Sequence, residues 1–415
     1  MLPITATAYD FMVDGLAYNI NEDDTTLTVT YQHYPNKDNN YVSYDNASGS
    51  LIIPESVTYE GRTYSVTSIG ELAFSDCSGF TGSLTIPNSV TSIGYEAFFD
   101  CSGFTGTLTI PNSVTSIGYG SFQNCSGFTG SLTIPNSVTA ISWRAFSGCT
   151  GFNGSLTIPE SVISIGESAF TYCIGFTGTL TIPNSVTYIG QNAFSDCRSF
   201  TGELILGNSV TYIGPAAFAC CSGFTGSLTI PNSVKTISYD AFNSCSGFTE
   251  SLTIGNSVTI IGEWAFSGCS GFTGSLTIPN SVTAIGEWAF YGCSGFANIN
   301  SHINNPSIVQ LGDEVFIGIP KDECILYVPV GCEQEYRNAD QWKDFDQIIE
   351  KEWSEVISGD LSGDGKVDVE DVNATINIIL EIKDASDYTG NADVTGDGKV
   401  DIEDVNAIIN IILSN

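Results

Sequence analysis

Positive charge is scarce. The 415-residue chain holds 12 Lys and Arg against 46 Asp and Glu, a formal net charge of −34. Nucleic acid is therefore excluded as a partner, because phosphate backbones are held by clustered cationic side chains, and so is a polybasic anchor on an anionic membrane. Histidine is scarcer still: His33 and His302 are the only two, too few for a His-based catalytic dyad within the long middle of the chain. No C-x-x-C pair occurs, so zinc sites are not indicated. No apolar run approaches the roughly 18 residues that cross a bilayer. The first eleven residues lack the basic and apolar regions of a signal peptide, but the small-residue run Ile4-Thr5-Ala6-Thr7-Ala8 reads as the tail of one. A secreted protein shown without its leader is the expectation.

What is present is a core and an uneven distribution of acid. Hydrophobic residues make up 42% and charged ones only 14%, the composition of a folded chain. The length asks for several domains or one elongated architecture. Residues 83–298 carry 10 acids and 3 bases, whereas the last sixty residues, 356–415, carry 13 and 3. Two different physical tasks are implied.

The middle repeats itself with a fixed step. Leu84 returns as Leu108, Leu132, Leu156, Leu180, Leu204, Leu228, Leu252 and Leu276, giving nine units of 24 residues from 83 to 298 without insertion. That period is the sign of a leucine-rich-repeat solenoid, in which one unit cannot bury its own apolar side and stacking is compulsory. Within a unit, Leu84 and Ile86 alternate with Thr85 as a short strand. The later apolar residues Val90, Ile93, Ala97, Phe98, Cys101 and Phe104 fit a curved turn or short helical piece. Pro87, Gly94, Gly103 and Gly106 mark corners, and the recurring Asn88 column places an amide where it can bridge adjacent coils. The fold class expected is an α/β-type solenoid of short strands and turns, followed by a small all-α module. Ten cysteines, Cys77 through Cys293, also recur every 24 residues and read as a ladder of buried thiols rather than bridges. Cys220, Cys324 and Cys332 fall outside the ladder, and a Cys324–Cys332 bridge is left open.

The acidic tail contains two twelve-residue loops, Asp360 to Asp371 and Asp393 to Asp404, with matched flanks. Ca²⁺ takes six to eight oxygens, and this spacing wraps them around one point while the glycine at position 6 makes the sharp turn. The candidate ligands of two calcium ions are Asp360, Ser362, Asp364, Lys366 (through its carbonyl), Asp368 and Asp371. In the second loop they are Asp393, Thr395, Asp397, Lys399 (again its carbonyl), Asp401 and Asp404. An apolar helical pattern follows each loop, and none of matching pattern precedes it.

At Ile86-Pro87-Asn88-Ser89-Val90-Thr91-Ser92-Ile93-Gly94 through Ala97-Phe98 to Cys101 the array resembles the BspA-like leucine-rich repeats of bacterial surface proteins. The duplicated loop-helix resembles a type I dockerin, the module that plugs into cohesin domains on bacterial scaffoldins. The resemblance implies a cohesin face at Val369, Glu370, Ile376, Asn377 and Glu381, and in the second copy at Ile402, Glu403, Ile409, Asn410 and Ser414. The clostridial Ser/Thr and Lys/Arg pattern is absent from those positions. The expected organisation is an N-terminal cap over 1–49, BspA-like repeats over 50–298, a C-terminal cap and linker over 299–355, and a dockerin over 356–415. The insert from Thr58 to Val66, with Glu60-Gly61 between β-formers, reads as a hairpin.

Catalysis is not indicated. A glycosidase needs two carboxylates set across a sugar, and the acids of the array lie mostly at variable positions. Binding is better supported, because two residues before each Ala-Phe change from coil to coil. Tyr95, Tyr119, Trp143, Tyr239, Trp264 and Trp288 stand there, a set of aromatics suited to flat sugar faces or to a protein ligand. The expected function is a secreted, non-catalytic recognition or adhesion protein. Its dockerin would bind a cohesin in a calcium-dependent way in a cellulosome-like, polysaccharide-degrading context, and its repeats would take a host or matrix protein or a plant polysaccharide. Weak glycoside hydrolase activity, or a purely structural spacer, are the alternatives.

Overall fold

The computed structural model describes residues 9–32, 43–44, 47–353, 359, 361, 367–382, 392–395 and 399–414. The chain divides into two compact units, residues 1–328 with 334–349, and residues 329–333 with 350–415.

In the first unit, an antiparallel meander β1 (Phe11–Val13), β2 (Leu16–Ile20) and β3 (Thr26–Thr30) leads the array. The first short strand of the repeats, β4 (Leu51–Ile52), is followed by the expected hairpin of β5 (Ser56–Tyr59) with β6 (Arg62–Ile69). Its turn is Glu60-Gly61, with φ of 50° and 79°, the two left-handed residues that let a two-residue loop follow the strand twist. β6 then pairs in parallel with β3 and with Ser92–Ile93, joining the meander to the coils.

Each coil places side chains by the same rule. Leu132 lies opposite Leu156 and Thr133 opposite Thr157 in a parallel ladder, so the inward and outward columns are set by period alone. The structure adds a second strand per coil that the alternation had not disclosed. Eight of these form one parallel sheet, from Ala140–Ile141 through Tyr188–Ile189 and Tyr212–Ile213 to Gln310–Leu311. The segment from Ala97 to Cys101 is a turn and not a helix: Ala97 N–H bonds back to Gly94 O at 3.4 Å while Phe98 N–H reaches Ser121 O of the next coil at 2.8 Å. Alternate N–H groups thus curve the chain and tie the coils. Glycine is required where coils approach most closely; a Cβ on Gly127 would sit 2.1 Å from Phe104 O.

The core is a set of columns. Phe98, Phe122, Phe146 and Phe170 are fully buried and stack with centroids 5.2–5.5 Å apart and planes within 9°. A second column runs through Phe104, Phe128 and Phe152. Each buried Phe contributes about 1.5–3 kcal/mol from area alone. All thirteen cysteines are free thiols, Cys324 and Cys332 among them. The ten of the ladder are buried, and nine donate through sulfur to a Phe carbonyl of the preceding coil, as Cys125 does to Phe98 O at 3.0 Å. Burial pushes the Cys77, Cys149 and Cys293 thiols up to about 12. The corner amides bridge coils at Asn184, Asn232 and Asn280, whose side-chain oxygens accept from Asn208, Asn256 and Asn304 N–H at 2.7–3.0 Å. The neighbouring serine column does the same work, with Ser185 Oγ donating to Val162 O at 2.7 Å.

α-Helix, among the described residues, occurs only outside the repeats: α1 (Glu333–Asn338), α2 (Val369–Ile379) and α3 (Ile402–Ser414). In the second unit Leu361, Ala374, Ala392 and Ile408 form a small core, with Val367, Val372, Ile378, Val394, Val400 and Ile412 packed against it.

Candidate functional sites

Both loops of the second unit end in an aspartate that opens a helix and is buried. Asp371 and Asp404 expose 0% of their surface. At α2, Asp368 Oδ1 accepts from Glu370 N–H at 2.8 Å, while Asp371 Oδ2 accepts from Asp368 N–H at 2.8 Å. The same reciprocal cap stands at α3, where Asp401 Oδ1 takes Glu403 N–H and Asp404 Oδ2 takes Asp401 N–H at 2.8 and 2.9 Å. This is a capping box with Asp as the third helical residue. Asp404 Oδ1 also accepts from Thr395 N–H at 2.9 Å and Thr395 Oγ at 3.0 Å, and Thr395 Oγ lies 3.4 Å from Asp393 Oδ1. The loop is thereby folded back on the helix start, bringing Asp393, Thr395 and Asp404 together.

These donors are neutral, and no cationic side chain among the described residues pairs with Asp404. A buried carboxylate without a countercharge is costly, which is what a calcium site resolves. The donor set, hard oxygens only, also fits that ion. Lys399 is exposed. Among the described residues no three His, Cys, Asp or Glu side chains converge to hold a metal. Asp360, Ser362, Asp364, Lys366 and Asp397 lie outside the described residues.

The expected cohesin face is mostly open. Val369 and Ile402 are 66% and 63% exposed, both next to the caps. Glu370, Glu403, Glu381 and Asn410 are exposed, Ile409 is 37% exposed, and Ile376 and Asn377 are half-buried. Ser414 ends α3, and its side chain lies outside the description. Leu380, Ile382 and Leu413 are also exposed.

On the array, the aromatic columns are partly exposed, and in the two tyrosine pairs the faces are spent on each other. Tyr95 and Tyr119 stack at 5.0 Å with planes 8° apart, and Tyr188 and Tyr212 at 5.0 Å and 6°. The 24-residue step makes this unavoidable, because it places like rings one coil apart. Trp143 meets Tyr119 edge-on at 4.6 Å, and the Arg144 guanidinium lies 5.1 Å from the Trp143 ring centre. Trp264 and Trp288 are 4.4 Å apart and tilted by 42°. Tyr239 stands half-exposed between Pro215 and Glu263 of its column. Desolvation, aided by Glu96, Tyr119 and Glu71, holds the Tyr95 phenol up at about 12.

Comparison with known proteins adds a family to this geometry. A model described as the BspA type leucine rich repeat region matches in six copies over residues 54–174, 127–249 and 246–323. A model described as the dockerin type I domain matches residues 358–413. Among solved structures, a leucine-rich repeat protein from Bacteroides ovatus is similar, at 26% identity and a TM-score of 0.57, over 83% of this chain and 77% of that one. A leucine rich cell surface protein from Faecalibacterium prausnitzii is 24% identical over 83% of this chain and 95% of its own, with a TM-score of 0.45. No curated protein matches the chain.

Proposed function

Because the chain belongs to the BspA-type leucine-rich-repeat family and carries a C-terminal type I dockerin domain, we propose that it is a secreted, non-catalytic recognition protein. Its dockerin would attach it to a cohesin of a scaffoldin in a cellulosome-like complex, and its repeats would present a ligand surface. The observation that carries the attachment is the pair of fully buried aspartates, Asp371 and Asp404, each fixed by neutral N–H donors at a helix start.

Two calcium ions complete the module in this reading. Asp360, Ser362, Asp364, Asp368 and Asp371 with the Lys366 carbonyl would hold one, and Asp393, Thr395, Asp397, Asp401 and Asp404 with the Lys399 carbonyl the other. Calcium supplies the positive charge that lets these carboxylates sit together. The chain's own part is the two capping boxes, which pre-orient Asp371 and Asp404 and start the helices that carry Val369, Ile376, Ile402 and Ile409. Two near-identical copies give two equivalent docking helices.

For the array, the mutual stacking of Tyr95 with Tyr119 and of Tyr188 with Tyr212 favours a protein ligand over a polysaccharide. A sugar ring needs a free aromatic face, whereas a protein interface uses exposed edges and hydroxyls as well.

A pull-down of the full chain on a panel of cohesins, with calcium and with EDTA, tests the attachment. Retention with calcium and release by EDTA is expected. Capture by no cohesin, or equal capture in EDTA, would remove the attachment from this account.

A further inference from the structure

We infer that the C-terminal coils of the array carry a cation-recognising patch: Trp264 and Trp288 with the carboxylates of Glu263, Glu287, Asp313 and Glu314 take lysine or arginine side chains of a protein partner. The inference deepens the recognition reading and rests on the array being the ligand-binding part of the chain.

The carboxylates are stacked in register. Trp264 N–H donates to Glu287 O at 2.9 Å and Trp288 N–H to Asp313 O at 3.0 Å, so Glu263, Glu287 and Asp313 stand in one column, a coil apart. Like charges placed opposite one another repel. The fold does not require them, since Tyr119, Gln191 and Pro215 occupy the same column elsewhere. None of the four carboxylates is ion-paired among the described residues, and the nearby Lys321 is committed to Asp344 at 3.0 Å. The Glu287 carboxyl is held above its ordinary value, first by desolvation and then by Asp313, Glu263 and Glu314.

The tryptophans add the other half of a cation site. Trp288 Nε1 donates to Glu314 Oε2 at 2.8 Å, which fixes the ring and draws a carboxylate to its edge. Tyr291 lies 6.2 Å from Trp264 and is 43% exposed. Glu287, Trp288, Asp313 and Glu314 line one open cavity of about 570 Å³, with the Lys321–Asp344 pair also on its wall; Trp264 and Glu263 do not line it. Aromatic faces attract cations, and carboxylates take guanidinium groups in paired, charge-assisted hydrogen bonds. A neutral sugar would use the rings and leave the carboxylate repulsion unrelieved; a cation uses both. The same columns already show the pairing internally, where Arg144 packs over Trp143.

The test uses the full, calcium-loaded chain, so that the dockerin acids are occupied. Titration with an arginine–glycine repeat peptide, followed by calorimetry and tryptophan fluorescence, is compared with titration by neutral cello- and xylo-oligosaccharides. The variants are the triple Glu263→Gln, Glu287→Gln, Asp313→Asn and the single Trp288→Asn. The latter introduces a residue that stands in the same column as Asn192, at the same positive φ. A control triple, Glu22→Gln, Glu55→Gln, Glu60→Gln, removes equal charge elsewhere. The expected result is peptide binding weakened roughly tenfold or more by either patch variant and unchanged by the control. Equal weakening by the control would reduce the effect to bulk charge and overturn the patch. Oligosaccharide binding that needs Trp288 but not the carboxylates would overturn the cation reading and leave the array as a recognition element. Silence toward both probes would overturn both.

Discussion

The thiol of Cys197 donates a hydrogen bond to the carbonyl oxygen of Phe170, 3.1 Å away in the preceding coil. The same Phe170 oxygen accepts from Cys173 N–H of its own coil. One carbonyl is thus satisfied twice, and cysteine supplies a small apolar body together with a donor, which alanine and valine do not.

Alkali should therefore unfold the array. The ladder thiols have folded values raised by burial above the ordinary 9.0, so their contribution is complete below the unfolded value and is lost as pH rises from about 9 toward about 12. Each thiol that ionises more readily in the unfolded chain adds to the fall in stability across that window. Urea midpoints across that pH window should fall with rising pH, and Cys197→Ala should shallow the fall. A flat profile would contradict the ladder. Thiol titration without reductant should find all thirteen after denaturation and few before it.

Phe146→Ala should cost about 3–5 kcal/mol, because Phe146 is fully buried between Phe122 and Phe170, 5.5 Å from each. Coils stabilise only their neighbours, so amide exchange should quicken chiefly in the adjacent coils. A loss under about 1 kcal/mol would mean the column does not hold the stack together.

Chelation should remove most helical circular dichroism from the full chain. Most of the described α-helix lies at α2 and α3, and their capping carboxylates Asp371 and Asp404 are fully buried. Asp404→Ala should lower calcium stoichiometry by one ion and weaken α3, as seen by calorimetry and helical signal. Unchanged stoichiometry would exclude the second loop as a site.

Docking by two equivalent helices predicts redundancy. Ile376→Asp or Ile409→Asp alone should leave cohesin capture within roughly tenfold, whereas the double variant should abolish it. Full loss from either single variant would assign docking to one helix.

The period and the core columns were legible because Leu-x-Ile-Pro recurs eight times and Ala-Phe nine times, leaving one consistent inward face. The second strand was not, since two residues such as Ser92–Ile93 are too few to show alternation, and its hydrogen bonds run to the next coil. The sulfur donors were hidden for the same reason: Cys197 finds Phe170 only once the coils stack. Of the aromatic positions, Tyr95, Trp143 and Tyr239 are exposed while Tyr119, Trp264 and Trp288 are half-buried, and their mutual facing, which follows from spacing in three dimensions, was not legible. Trp288 and Glu314 were not linked, because the insertion-free step of 24 is broken between them. In the tail, the oxygen pattern drew the reading toward calcium; the capping role of Asp368 with Asp371 was present in the same letters and was masked by the metal reading.

The inter-coil hydrogen bonds have an evolutionary corollary. Since each coil addresses its neighbour through the same backbone atoms and the same few columns, excising or copying a whole coil leaves no mismatched seam. Array length can therefore change by whole coils without disturbing the stack, while the two short columns before Ala-Phe, which carry no shared core contact, can differ from coil to coil.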